Sequence, residues 1–289
     1  MPALNVLFFL VLSAYFLGAT LHLLGVVSGR RPLRRAGESL TVTGFVLHTV
    51  DLVVLLATEG GAALLLGEFY FSLLAWSLLL ICLFLWWRLR LEMLGLLAAP
   101  LALFLFLSSQ AVTAQRMPLP KALGGLFFGL HIGALFLAIS LLAMACGAGL
   151  AYLYLERKIK TKEKLSGFSK ALPALSTCDT VNRWAVAAGF PLYTIGLLSG
   201  FIWAKITWNR IFSYDPKELL AICVWLLFAF LFHQRLFIGW RGRKTAKLAI
   251  WIFCLTLVSM LVINFFVPTH HSFARYIDGA TNIPVRTQP

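Results

Sequence analysis

The chain has 289 residues, of which 60% are hydrophobic and only 12% charged, and its mean hydropathy is +0.87. Such values lie far outside those of soluble globular domains and exclude that class. A formal net charge of +14 would suggest a nucleic-acid partner in a soluble protein, but in so apolar a chain the charges report how loops are disposed about a membrane, and no nucleic acid is implied.

About eight apolar stretches are long enough to cross a hydrocarbon core, which takes about 20 residues of helix because a spanning backbone must satisfy its own amides. They run over 4–27, 40–57, 69–87, 93–112, 124–155, 181–202, 218–238 and 248–266. The fold class is therefore all-α, a polytopic integral membrane helix bundle forming one membrane domain over 1–289.

The first stretch lacks a basic leader and is followed by Arg30, Arg31, Arg34 and Arg35, so it reads as a retained helix and not a cleaved signal peptide. His22, near its inner end, has no obvious counterpart and reads as structural. The second carries His48 roughly 10 Å from its inner end, with Asp51 one turn later. Arg88 and Arg90 follow the third. The fifth opens near His131 and runs into the basic linker 156–180, "ERKIKTKEKL…", which suits an anionic leaflet and divides the chain into five front and three back spans. The seventh holds His233 roughly 22 Å below the preceding loop, with Arg235 beside it, and is followed by Arg241, Arg243, Lys244 and Lys247. The eighth ends just before His270 and His271.

Basic residues thus fall in alternate loops. The positive-inside rule puts both termini outside, together with the loop over 200–218. In a bacterium this means the periplasmic side of the inner membrane. The cysteines, Cys82, Cys146, Cys178, Cys223 and Cys254, form no CxxC pair and read as buried inert thiols. No CxxCH occurs, so the chain carries no covalently attached c-type haem of its own.

The histidines fall at two depths, His48 with His233 in the inner half and His131 with His271 at the outer face. Neutral imidazole suits iron, and axial histidine pairs are a standard way of holding haem b without a covalent bond. Each histidine taken alone also fits a polar residue hydrogen-bonded across a helix interface. Ionisable residues within a span favour function, which applies to both members of the inner pair.

The loop "GFIWAKITWNRIFSYDPKELL" places Trp203, Trp208, Phe212 and Tyr214 among Lys205, Arg210, Asp215, Lys217 and Glu218. An interfacial aromatic belt accounts for the rings. A surface shelf that holds a flat macrocycle against them, with basic groups meeting its propionates, accounts for the charges as well. Asp215 and Pro216 have the form of an N-cap and first helical position, with Glu218 in the first turn.

At this point the sequence resembles a known family. "WAKITWNRIFSYDPKE" is similar to the tryptophan-rich WWD signature of CcsA/ResC-type cytochrome c biogenesis proteins (System II), approximately W-A-x-x-x-W-G-x-Y-W-x-W-D-P-K-E. The matching residues are Trp203, Ala204, Trp208, Asp215, Pro216, Lys217 and Glu218. "FHQRLFIGWRGRKTAKLAI" and "VPTHHSF" resemble later family stretches, and "LHTVDL" and "LHIGALFLAISLLAMACGAGLAYLYLERKIK" earlier ones. The resemblance covers most of the chain in the correct order. It implies an inner haem pair, His48 and His233, an outer pair, His131 and His271, and an aromatic segment that offers haem to an apocytochrome c. Asn209 and Arg210 stand where the signature has small residues, Ile211 where it has an aromatic, and Phe212 and Tyr214 where it has tryptophans.

The resemblance further implies a CcsB/ResB-type membrane partner, since this chain lacks that subunit's large periplasmic domain. The chain then reads as a membrane protein that moves haem outward for thioether attachment, in the manner of the membrane subunit of a cytochrome c haem lyase. A haem-binding regulator or assembly factor like HemX and a b-haem electron-transfer subunit are the other readings. A plain solute transporter fits the composition alone.

Overall fold

The computed structural model describes residues 2–89, 95–110, 126–165, 168–212 and 214–260. Among them every regular element is helical: α1 (Pro2–Val27), α2 (Arg31–Glu59), α3 (Gly67–Leu89), α4 (Gly95–Gln110), α5 (Leu126–Lys160), α6 (Phe168–Ala171), α7 (Leu175–Trp208), α8 (Pro216–Leu236) and α9 (Arg243–Val258), with a 3-10 segment at Gly60–Leu65. Six segments are long and apolar enough to cross a bilayer: Val6–Val27, Arg31–Leu64, Gly67–Arg88, Leu126–Lys160, Leu175–Ile206 and Pro216–Leu236. The chain is a multi-pass membrane helix bundle. The helix α4 is apolar but has only 16 residues, and the last part of the eighth predicted stretch, 261–266, lies outside the described residues.

Two boundaries differ from the hydropathy reading. The sequence predicts the second span at 40–57, whereas α2 begins at Arg31. Pro32 pre-sets the first turn, and Arg34 Nε approaches Glu38 Oε1 at 3.6 Å one turn later. Of the arginines expected in that loop, Arg31, Arg34 and Arg35 are thus helical and Arg30 is the extended residue before the helix. The helices α5 and α7 have 35 and 34 residues, roughly 50 Å each, against about 40–45 Å for a bilayer with its headgroups. Their ends project beyond the apolar layer, so residues 200–208 are the last turns of α7 and 216–218 the first turn of α8.

The pair α1 and α2 packs through small residues. A Cβ on Gly18 would lie 2.7 Å from Thr41 Oγ1, and one on Gly44 would lie 2.6 Å from the Tyr15 ring. Each step up one helix meets a step down the other, so the pair is antiparallel and its backbones nearly touch. The helix α5 is the central element, packed most extensively on α7, with α9 and α3 on its other sides. Its middle is a run of buried Ala138, Leu142, Ala143, Met144 and Ala145, and Ser140 Oγ meets Ser77 Oγ of α3 at 3.0 Å. Lipid tails offer no hydrophobic drive between helices, so close packing and such hydroxyl pairs hold the bundle. In space α5 thus sides with the back helices, although it precedes the basic linker.

At the basic end a buried ion pair ties three helices together. Arg235 of α8 is 4% exposed and donates from Nη1 to Asp179 Oδ1 of α7 at 2.8 Å, to Trp240 O at 3.0 Å and to Thr245 Oγ1 of α9 at 3.1 Å. The Gly242 N–H donates to the same Asp179 oxygen at 2.7 Å. Of the cysteines, Cys82, Cys146 and Cys178 are buried as expected. Cys223 and Cys254 are exposed, which corrects the reading of all five as buried; they lie on outward faces of α8 and α9, where an apolar helix surface meets lipid.

Candidate functional site

The end of the bundle opposite the basic linker brings together the start of α5, the end of α7 and the start of α8. His131 lies in the first turns of α5, and its Nδ1 is 2.7 Å from the carbonyl oxygen of Gly196 on α7. A carbonyl can only accept, so Nδ1 carries the proton and Nε2 keeps its lone pair. Nε2 has no hydrogen-bond partner among the described residues. The ring also lies directly on Gly200, where a Cβ would run into Nδ1 and Cε1. Glycine at 200 therefore makes the room that the imidazole occupies.

One turn farther out, Phe128 of α5 lies 5.6 Å from Trp203 of α7, and Tyr70 of α3 meets Phe128 edge-on at 6.3 Å. Tyr70 donates its hydroxyl to Leu64 O at 2.7 Å, which fixes the end of the 3-10 segment. Trp203 is only 8% exposed. It is a wall of the site behind the surface rings.

Trp208 is the last residue of α7, and Asn209 ends the helix in the left-handed conformation at φ 55° and ψ 22°. Asparagine is the residue that best tolerates this region after glycine, which gives a physical reason why it stands where the signature has a small residue. Lys205 Nζ donates to Asn209 Oδ1 at 3.0 Å and strengthens the stop. Asn209→Gly is expected to change stability by no more than a few tenths of a kcal/mol, and Asn209→Val to cost about 1–2 kcal/mol, read from thermal unfolding of the purified protein.

Beyond the stop, Phe212 lies 6.4 Å from Phe201 and 4.9 Å from Tyr214, both edge-on. Tyr214 has φ 57° and is 79% exposed. A positive φ at an aromatic residue carries strain, and here it holds the ring out from the surface. Asp215 is buried and accepts from the Lys217 backbone N–H at 2.9 Å, capping α8 ahead of Pro216 and Glu218. The capping signature in the sequence therefore has its counterpart in the fold. The Lys217 side chain lies in the electrostatic neighbourhood of the His131 ring.

The residues at this end fit an iron porphyrin: an imidazole anchored at Nδ1 with Nε2 unengaged, the half-buried ring of Phe212 beside the exposed ring of Tyr214, and the exposed Lys205 and Arg210 for acidic edges. His271, the expected second ligand, and its neighbour His270 lie outside the described residues.

The two histidines expected to form an inner pair do not share a depth: α2 begins at Arg31 and not near residue 40, and Ser72, the partner of His48, lies in the first turns of α3 beside Tyr70 of the aromatic end, whereas His233 lies in the last turn of α8. His48 is completely buried, and both its nitrogens are engaged, Nδ1 with Tyr15 Oη at 2.9 Å and Nε2 with Ser72 Oγ at 2.7 Å. Phe106 of α4 packs 4.7 Å from its ring. His233 is exposed on α8 and stacks on Phe237 at 5.2 Å. No recorded contact joins the two rings among the described residues. His48 in this arrangement has no nitrogen left for a metal, so the inner pair does not fit haem as the helices stand. His22 of α1 lies 3.9 Å from Glu38 of α2. Among the described residues no three His, Cys, Asp or Glu side chains converge.

Gly196, Gly200, Phe128, Tyr70, Tyr15, Ser72 and Asp179 are not singled out by the sequence reading. Each acts through a partner more than 20 positions away or, for Tyr70, through a carbonyl six residues back. The one available signal is spacing: Gly196 and Gly200 are four residues apart and so share a helix face.

Residues 66–271 match the family described as cytochrome C assembly protein. The chain is 30% identical over 251 residues to the cytochrome c biogenesis protein CcsA of Guillardia theta, covering 79% of this chain and 83% of that protein. It is 30% identical over 267 residues to the protein of the same description from Chlorella vulgaris, covering 81% and 85%. A third, from Trieres chinensis, is 27% identical over 274 residues, covering 82% and 88%. The family match takes in His131, the aromatic turn and His233 and ends at His271, whereas His48 precedes it.

Proposed function

The chain belongs to the cytochrome c assembly protein family of the CcsA type and has a role in cytochrome c biogenesis, and from that premise we propose that it binds haem b non-covalently at its aromatic end and presents it there to an apocytochrome c. The observation that carries this reading is the His131 ring, clamped by the Gly196 carbonyl and seated on Gly200 with Nε2 unengaged. When bound, haem supplies the iron to be ligated and the vinyl groups to which apocytochrome thiols add.

This chain's own residues bind, orient and exclude water. Gly196 holds the His131 tautomer and raises the basicity of Nε2, as outer hydrogen-bond partners do for metal-bound imidazoles. His271, outside the described residues, would supply a second imidazole to the iron. Trp203, Phe128 and Tyr70 form a dry wall, Phe212 and Tyr214 supply the ledge, and Asp215 keeps the ledge in register by capping α8. No step is assigned to the inner pair, because use of His48 requires release from Tyr15 or Ser72.

The finer topology belongs to the same reading. The helices α1–α5 and α7–α9 make eight crossings of a bacterial cytoplasmic membrane, with both termini and the aromatic turn outside. Arg30, Arg31, Arg34 and Arg35, Arg88, the linker at 157–170 and the α8–α9 turn lie on the inner face, in accord with the positive-inside rule. A CcsB/ResB-type partner completes the system, in which this chain is the membrane subunit of a cytochrome c haem lyase.

The test is the absorption spectrum of the purified protein with and without dithionite, beside that of His131→Ala. Wild type is expected to show a b-type spectrum, and His131→Ala to lose the population at the aromatic end. Covalent haem staining of a co-expressed apocytochrome, in a strain lacking its own synthase but supplied with the partner, separates presentation from binding alone. A protein that stays colourless in excess hemin would end the proposal, and bound haem without staining would favour the regulator reading.

A further inference from the structure

A cavity of about 380 Å³ opens at the basic end of the bundle, between α4, α5, α6 and α7. Its floor is sealed, with Met144, Ala148, Cys178 and Val181 all at most 3% exposed. Its mouth is open: Tyr154 of α5 and Phe168 of α6 meet edge-on at 5.7 Å and are 39% and 36% exposed. The volume is in the range of sites that take small ligands, about 300–1,000 Å³. The lining is almost wholly apolar and contains no histidine, so its occupant is held inside by burial and not by a polar anchor or an iron ligand.

The mouth has the opposite character. Lys158 Nζ stands 6.0 Å from the Tyr154 ring centroid and pairs with Glu163. From Arg157 to Lys170 the chain has six basic residues and one acid, Glu163. Lys162, Lys164 and Lys170 are exposed. The turn that carries Lys162 and Lys164 is held close to the end of α5, and Lys170 stands on α6. Lys162 has φ 54°, its N–H donates to Ile159 O at 3.1 Å, and the Glu163 N–H donates to Lys158 O at 3.1 Å, which is a Schellman stop. An apolar shaft under a cationic rim matches an amphiphile with a long apolar tail and an anionic head. In a multi-pass membrane protein the surrounding solvent supplies that chemistry as anionic phospholipid.

We propose that this cavity holds one acyl chain of an anionic phospholipid, with the headgroup seated among the lysines of the α5–α6 connection. The site is separate from the aromatic end, and the inference stands whether or not haem binds there. Occupancy wedges α4, α6 and α7 against α5, so the lipid acts as a structural ligand at the end of the bundle where the linker enters.

The experiment uses the full chain, delipidated in detergent and titrated with dioleoylphosphatidylglycerol or dioleoylphosphatidylcholine, with bound lipid counted by native mass spectrometry. Wild type is expected to retain one phosphatidylglycerol with at least a five-fold preference over phosphatidylcholine. Ala151→Phe, which fills the shaft, is expected to lose it at least five-fold. Lys162→Gln, Lys164→Gln and Lys170→Gln together touch only exposed side chains, and are expected to keep a bound lipid but to abolish the preference. Equal binding of the two lipids to wild type would overturn the proposal, as would undiminished retention in Ala151→Phe or an unchanged preference in the triple variant. Displacement of phosphatidylglycerol by hemin, one for one, would also overturn it by identifying a different occupant.

Discussion

Asp179→Ala is expected to destabilise the bundle by about 3–5 kcal/mol, the cost of leaving a buried charge without its partner. The Arg235 side chain is 1% exposed, and its guanidinium is held by Asp179, Trp240 and Thr245. Removing the carboxylate also releases the Gly242 N–H, so the turn between α8 and α9 loses its tie to α7 in the same step. Asp179→Asn keeps an acceptor for one of these donors and is expected to cost less than the alanine. Asp179→Ala combined with Arg235→Met removes both charges and leaves an apolar side chain of similar length, which is expected to recover most of the loss. Thermal unfolding of wild type, Asp179→Ala, Arg235→Met and the double variant in one detergent gives the coupling directly, as the non-additivity of the two single changes. Additive effects would mean that the pair is not coupled as its geometry requires.

The reason this pair is hard to see in the sequence is instructive about the rest. Asp179 falls at the end of a strongly basic stretch and reads as part of a solvated linker, while Arg235 reads as company for His233. Each is unremarkable locally, and only the 56 positions of chain between them, folded into α7 and α8, bring them to 2.8 Å. The same holds for His48, whose partners Tyr15 and Ser72 stand 33 and 24 residues away. Its place within an apolar run was legible, but neither its depth, because α2 begins at Arg31 and not near residue 40, nor its engagement on both nitrogens was. Features set by neighbouring residues fared differently. Asp215, Pro216 and Glu218 specify a helix start by their own chemistry, and α8 begins there. Hydropathy likewise finds apolar runs because lipid imposes that pattern over about 20 consecutive residues. It misplaces ends such as Arg31 and Trp208 because helix can continue into the headgroup layer at no cost in backbone hydrogen bonds.

Gly200→Ala tests the aromatic end with one methyl group. The added carbon would occupy the position of the His131 ring, and the imidazole must swing away from the Gly196 carbonyl to admit it. The helix itself is not challenged, because alanine is the better helix former by about 0.8–1.0 kcal/mol. The expected result is a folded protein whose haem affinity at this end falls by about 10–100-fold, the usual effect of losing the partner that orients a metal-bound imidazole. Gly189→Ala is the control: its Cβ would lie 2.9 Å from the Phe228 ring, a comparable crowding on the same helix but away from His131. It is expected to shift thermal stability while leaving hemin titrations unchanged. The contrast separates a helix that has been disturbed from an imidazole that has been displaced. If Gly200→Ala binds hemin as wild type does, then neither the clamp on Nδ1 nor the seat on Gly200 prepares His131 for iron, and the aromatic ledge would have to hold its ligand without this histidine.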